Sequence, residues 1–188
     1  MNDLYLIGGG GHCKSCIEVI EETGDFKIKG IFDLPGKVGE KILGYEIIGS
    51  DKELEKYKSK DNYFLITLGQ IKSSVLREKY FNMDLHFATV ISPRAHVSKY
   101  AKVGKGTIVM HDAFINAGAE VGSNCIINTK SLIEHDAKIG DHCHISTAAI
   151  VNGDCTVEDS CFIGSNSVLK NNITVPKNTI VPFGEKYE

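Results

Sequence analysis

A histidine set between two carboxylates, Glu134-His135-Asp136, is the first group in this sequence with obvious chemical use. A carboxylate bonded to one ring nitrogen fixes the tautomer and raises the basicity of the other, so an outward-facing group of this kind suits a general base. Asp136 is the expected orienting partner and Glu134 the less favoured one. A second group lies near the N-terminus. Gly8-Gly9-Gly10-Gly11-His12 leaves an apolar stretch at 3–7 and opens a helical pattern, with Asp33 roughly twenty residues on. Glycines let a backbone approach a phosphate, and a helix N-terminus favours its negative charge. A carboxylate after the second strand can bond a ribose hydroxyl. Cys13-Lys14-Ser15-Cys16 spells C-x-x-C, a redox or zinc spacing. Both cysteines fall on the apolar side of the helix, however, and no second ligand pair follows, so packing is their expected role.

These groups must be held by two kinds of element. From residue 97 to 181 every sixth residue is aliphatic: Val97, Val103, Val109, Ile115, Val121, Ile127, Ile133, Ile139, Ile145 and on to Val181. Neither a helix nor a simple strand repeats at six. Two residues before each rung stands a mostly small residue, among them Ala113, Ala119, Cys125, Ala137, Cys143, Ala149 and Cys161. Just after the rung come Gly104, Asn116, Gly122, Asn128, Gly140, Asn152 and Gly164, expected to turn the corners because Gly and Asn best tolerate positive φ. This is the hexapeptide signature of a parallel β-helix, three hexads to a triangular coil. Cys125, Cys143, Cys155 and Cys161 lie in the small-residue column and are expected to be free thiols filling the core.

The first half reads differently. Strands are expected at 3–7, 26–32, 62–68 and 87–91, and helices up to about residue 22 and over 73–81. Ser50 and Glu53 form a capping box that starts a short helix through Tyr57. Alternating strand and helix predicts a small parallel α/β domain over 1–91. Ser92-Pro93 is the expected hinge into a coil domain over 92–188. The net charge of −3 and the lack of a Lys/Arg block argue against a nucleic-acid partner. No apolar run is long enough for a membrane span, and no signal peptide is evident, so a cytoplasmic protein is expected.

Both halves together resemble the NeuD/PglD-type sugar acyltransferases. The family's strand, Gly-rich turn and His match Leu6-Ile7-Gly8-Gly9-Gly10-Gly11-His12, its acid after strand two matches Asp33, and its turn after strand three matches Leu68-Gly69-Gln70. The resemblance implies a Rossmann-like nucleotide-sugar-binding domain joined to a left-handed β-helix. It implies acetyl-CoA as co-substrate, no metal, and N-acetylation of a UDP- or dTDP-linked 4-amino-deoxy sugar. Sialic acid O-acetylation is the alternative, and a non-catalytic nucleotide-sugar-binding scaffold the alternative of another class. It places catalysis at His135 and Asp136, acceptor binding at Gly10, Gly11, His12, Asp33 and Gly69, and the coenzyme at His144, Gly153, Ser165 and Phe183. Phe183 stands where the family has a Gly bordering the coenzyme. Backbone N–H groups near Gly153 are the expected oxyanion donors. His135 and His144 are half a coil apart and so on different faces. A homotrimer, also implied by the resemblance, would let them meet between subunits. A γ-type carbonic anhydrase would need a repeated outward His pair, and His142 and His144 do not repeat, since Ser160 and Phe162 follow one coil on.

Overall fold

The computed structural model describes residues 1–71 and 73–188. The N-terminal sheet holds β1 (Asn2–Ile7), β2 (Phe26–Phe32), β3 (Lys41–Ile42), β4 (Tyr45–Gly49) and β5 (Asn62–Ile66), in the order β3-β4-β2-β1-β5. β1, β2, β4 and β5 run parallel, and β3 folds back on β4 as an antiparallel edge. That hairpin is absent from the sequence reading; its strands are short, and their pattern is broken by Leu43 and Gly44, both at positive φ. Helix α1 (Gly11–Thr23) buries Cys13, Cys16, Ile17, Val19 and Ile20, and stops at Gly24, whose φ of 70° only glycine adopts freely. Ser50 and Glu53 close the expected capping box on a 3₁₀ turn over Asp51–Tyr57. Helix α2 (Val75–Phe81) begins two residues later than expected.

The rest of the chain is a left-handed parallel β-helix of two-residue strands in three stacked sheets. Each rung points inward, and Val109, Ile127, Ile145, Ile163 and Val181 are fully buried. Successive coils pair like neighbouring parallel strands, as in Ile126 N–H to Cys143 O at 2.9 Å and Asn128 N–H to Ile145 O at 2.9 Å. The buried Sγ of Cys125, Cys143 and Cys161 each donate to a carbonyl of the next coil, at 3.1 Å.

The corners correct the sequence reading. Left-handed backbone falls three residues after the rung, not one: Asp112, Gly118, Asn124, Lys130, Asp136, His142, Ala148, Asp154 and Ser160 all have positive φ, and Gly104, Gly122, Gly140 and Gly164 do not. Those glycines serve close stacking instead. A Cβ on Gly122 would lie 2.7 Å from the carbonyl carbon of Gly140, and one on Gly104 would lie 2.6 Å from that of Gly122. Gly122→Ala is therefore expected to lower stability by about 1–3 kcal/mol, read as a drop in urea midpoint. An unchanged midpoint would mean that the adjacent coil gives way to a methyl group at no cost.

The residue before each rung faces out, and its character names the three faces. On the docking face Ile108 and Ile126 are buried against Ala88 and Val90, and His144, Phe162 and Ile180 follow. The apolar face carries His96, Phe114, Leu132, Ile150 and Val168, and the polar face Lys102, Glu120, Lys138, Thr156 and Thr174. The expected strand over 87–91 is split: Phe87 bridges Phe64 of the N-terminal sheet, whereas Val90–Ile91 is the first docking-face strand.

The two halves are pinned by α2. Arg77, 1% exposed, sends Nη1 to the carbonyls of Ile66 and Leu68 and Nη2 to the carbonyl and side-chain oxygens of Asn124, over 2.7–3.1 Å. Beside it Glu78 accepts from Ser160 Oγ at 2.7 Å and from Ser74 Oγ.

Candidate active site

The Gly-rich turn divides its labour. A Cβ on Gly8, φ 107°, would strike Leu68, and one on Gly9 would lie 2.7 Å from Asp33 Oδ2. Gly8 and Gly9 are thus needed by the fold. Gly10 and Gly11 face open space at the N-terminus of α1, where a ligand can approach the backbone. They line a cleft of about 650 Å³ between the N-terminal domain and the docking face. The cleft wall also includes His12, Gly69, Gln70, Asn128, His144, Ser146, Phe162, Ser165 and Phe183. Residues expected for the acceptor (Gly10, Gly11, His12, Gly69) and for the coenzyme (His144, Ser165, Phe183) therefore share one space.

Two neutral histidines sit in its wall. Burial drives the pKa of His12 down to about 3, aided by Arg77 and His144. Burial likewise lowers His144 to about 4, against an opposing bond to Gln70 and with a smaller push from Arg77. The Gln70 carbonyl can only accept, so His144 Nδ1 carries the proton, and Nε2 is left to accept from Asn128 Nδ2 at 3.1 Å. Sequence reasoning missed Asn128 and the Gln70 carbonyl; the one is an Asn of the column after the rung, and the other is a backbone atom without a sequence signal. Among the described residues His12 Nε2 and Gln70 Oε1 are buried and find no hydrogen-bond partner. Ser165 Oγ pairs with Ser146 Oγ at 2.9 Å, and Phe183 stands 84% exposed at the rim.

Asp33 lies apart from this cleft. It borders a smaller cavity of about 240 Å³ with Gly8, Phe32, Leu34, Pro35, Leu68 and Tyr80. Its carboxylate is already engaged by the amides of Gly9 (2.9 Å) and Leu34 (2.7 Å) and by Lys37 Nζ (3.1 Å). Burial pushes its pKa up, but these donors outweigh it and hold the carboxyl below its ordinary value.

His135 and Asp136 stand on the corner between the apolar and polar faces, the edge opposite the docking face. His135 Nδ1 meets Asp136 Oδ2 at 2.9 Å, and Glu134 Oε2 holds Asn116 Nδ2 at 2.6 Å. The bond to Asp136 raises the His135 pKa, desolvation opposes it, and the charges of Asp136, Asp154 and Glu134 add smaller upward pushes. Gly153, expected beside the coenzyme, lies here, apart from the residues that line the cleft of its own subunit. It stacks one coil beyond His135, and a Cβ on it would come within 2.9 Å of the ring. His142 Nδ1 is paired with Asn124 Nδ2 at 2.8 Å, and His111 Nδ1 with Ser92 Oγ at 2.7 Å. Among the described residues no group of three His, Cys, Asp or Glu is placed to hold a metal ion, and no helix is long and apolar enough to cross a membrane.

Comparison with known proteins matches both halves. The family model described as the PglD N-terminal domain covers residues 3–83, and that of the bacterial transferase hexapeptide (six repeats) covers 136–171. The chain is 33% identical over 115 residues to the UDP-N-acetylbacillosamine N-acetyltransferase of Bacillus subtilis, 58% of this chain and 52% of that protein. It spans about half or less of the length of the curated relatives it matches. The acetyltransferase domain of PglB from Neisseria gonorrhoeae superposes with a TM-score of 0.89 at 25% identity, covering 98% of this chain and 90% of that one. PerB from Caulobacter crescentus, solved with CoA and GDP-perosamine, gives 0.88 at 28% identity, covering 98% and 87%. The chain thus joins a match to the PglD N-terminal domain to a match to the hexapeptide coil, and the solved structures it resembles follow nearly its whole length in one arrangement.

Proposed function

We propose that the protein is an acetyl-CoA-dependent N-acetyltransferase acting on a nucleotide-linked 4-amino-deoxy sugar. The carrying observation is the cleft that puts Gly10, Gly11, His12 and Gly69 opposite His144, Ser165 and Phe183. An acceptor held by the first set and a thioester held by the second are already side by side, so direct transfer needs no covalent enzyme intermediate. The PerB complex with CoA and GDP-perosamine supports the pairing of ligands in a relative of the same shape. The sugar amine attacks the thioester carbonyl carbon, a base takes its proton, and the carbon–sulfur bond breaks to release the coenzyme thiolate.

The base is His135, supplied by a neighbouring subunit. His12 and His144 in the cleft wall are held at pKa values of about 3 and 4, too weak for this task at neutral pH. His135 has the raised pKa and the free Nε2, but stands on the far edge of its own coil. The apolar column Phe114, Leu132, Ile150 and Val168, each only half-buried, runs beside that edge and fits packing against another copy. A cyclic trimer closes such a head-to-tail contact and completes three equal sites. Asp33 keeps its place in the proposal at the ribose side of the nucleotide, while also bracing the Gly9 amide.

The test is thiol release from acetyl-CoA with UDP-, dTDP- and GDP-linked 4-amino sugars, free amino sugars, and sialic acid free or CMP-linked. Turnover is expected with one or more nucleotide amino sugars and with none of the others. Release with sialic acid alone would make the protein an O-acetyltransferase. Coenzyme binding without turnover on any acceptor would leave a binding module. Light scattering on the active sample is expected to give three times the chain mass; an active monomer would end the shared-site scheme.

A further inference from the structure

Asp136 and Gly118 face each other across one coil, both with left-handed backbone (φ 60° and 77°). The Asp136 carboxylate turns back over its own corner. Oδ2 reaches His135 Nδ1 at 2.9 Å, and Oδ1 lies in the space that a Cβ on residue 118 would fill, with Cγ only 3.3 Å from that point. The coil itself does not demand glycine there. Equivalent corners carry Lys130 (φ 58°) and Ala148 (φ 55°), and Asn124 and His142 stack in the same relation with a 2.8 Å bond between their side chains. A side chain at this level is thus compatible with the fold, and what excludes one at 118 is the Asp136 carboxylate.

We infer that Gly118 is a positioning residue for the His135–Asp136 pair, leaving open the one place from which the Asp136 carboxylate can reach back to the imidazole. This rests on the reading of His135 as the base. A Cβ at 118 pushes the carboxylate outward into solvent, and the imidazole loses its fixed tautomer and its charge partner. The backbone of the corner is held separately, by the Ala117 carbonyl accepting from Asp136 N–H at 3.2 Å.

The experiment compares Gly118→Ala with Asn178→Ala, which places the same side chain on an exposed left-handed corner (φ 63°) away from the site. The His135 ring is followed by NMR against pH in the free protein, and kcat and KM are measured on whichever acceptor is turned over. In Gly118→Ala the His135 pKa is expected to fall towards the ordinary histidine value, and kcat to drop about tenfold or more with both KM values kept. Asn178→Ala is expected to alter neither. Adding Asp136→Glu to Gly118→Ala lengthens the carboxylate past the new methyl and is expected to bring the pKa back up. Should Gly118→Ala not fold, recovery of folding and of a raised His135 pKa in the double variant carries the same conclusion. An unmoved His135 pKa in Gly118→Ala, or a double variant that restores neither folding nor pKa, overturns it. Because the ring titration needs no substrate, a shifted pKa in a protein inactive on every sugar would sink the functional reading and leave the positioning role standing.

Discussion

His135→Ala is expected to cut kcat by about 10²–10⁴-fold, the usual worth of a general base, with little change in either KM. The imidazole donates from Nδ1 to Asp136, so its Nε2 lone pair points outward on a side chain that is 55% exposed. The base works only when neutral, and Asp136 favours the protonated form by raising the pKa. Activity should therefore rise with pH through that raised value and level off above it. Asp136→Asn removes the largest cause of the shift, so the rising limb moves to lower pH while the plateau falls. A variant lacking the imidazole that keeps near-normal kcat would take His135 out of the reaction.

Arg77→Ala is expected to give the largest loss of stability, about 3–6 kcal/mol. The guanidinium is buried against carbonyl and amide oxygens, and burial lowers its pKa to about 10, so it stays charged at neutral pH. Truncation leaves the oxygens of Ile66, Leu68 and Asn124 without their donor and opens a cavity between the domains. Arg77→Lys is not expected to rescue, because an ammonium lacks the planar fork that spans both sides. The segment after β5 carries the Gln70 carbonyl that orients His144, so residual folded protein should also bind coenzyme more weakly. A thermal midpoint within a degree or two of the parent would mean that the latch contributes little.

The inward side of the coil was legible because a rung every sixth residue admits one closure, and Ile133, Ile139 and Ile145 fall where that period puts them. Its corners were misread. Gly104 and Gly122 look like turn formers, but what they avoid is backbone of the adjacent coil, a contact between residues eighteen apart that no local pattern announces. The His135–Asp136 bond was legible from adjacency alone. The shared cleft was not, since it depends on how Gly69 and Gln70 meet His144 across the domain junction. Asp33 followed its motif to the end of β2, yet its engagement with Gly9 and Lys37 is tertiary and invisible in one dimension. That Gly153 stacks against His135 was not legible either, since the two are eighteen residues apart and meet only across coils.

The same stacking dictates which insertions and deletions the chain can absorb. One added residue anywhere in the coil turns every later rung out of the core, much as a one-residue slip inverts a strand. Six added residues keep rungs inward but rotate all that follows by one face; after Ile145 this would carry Ser165 and Phe183 away from the cleft they line. Eighteen restore each face and only lengthen the prism by about 4.8 Å. Length variants of this protein should therefore differ by whole coils. A coil inserted between His135 and Gly153 would bring a new residue beneath the imidazole, and only glycine leaves the ring its place.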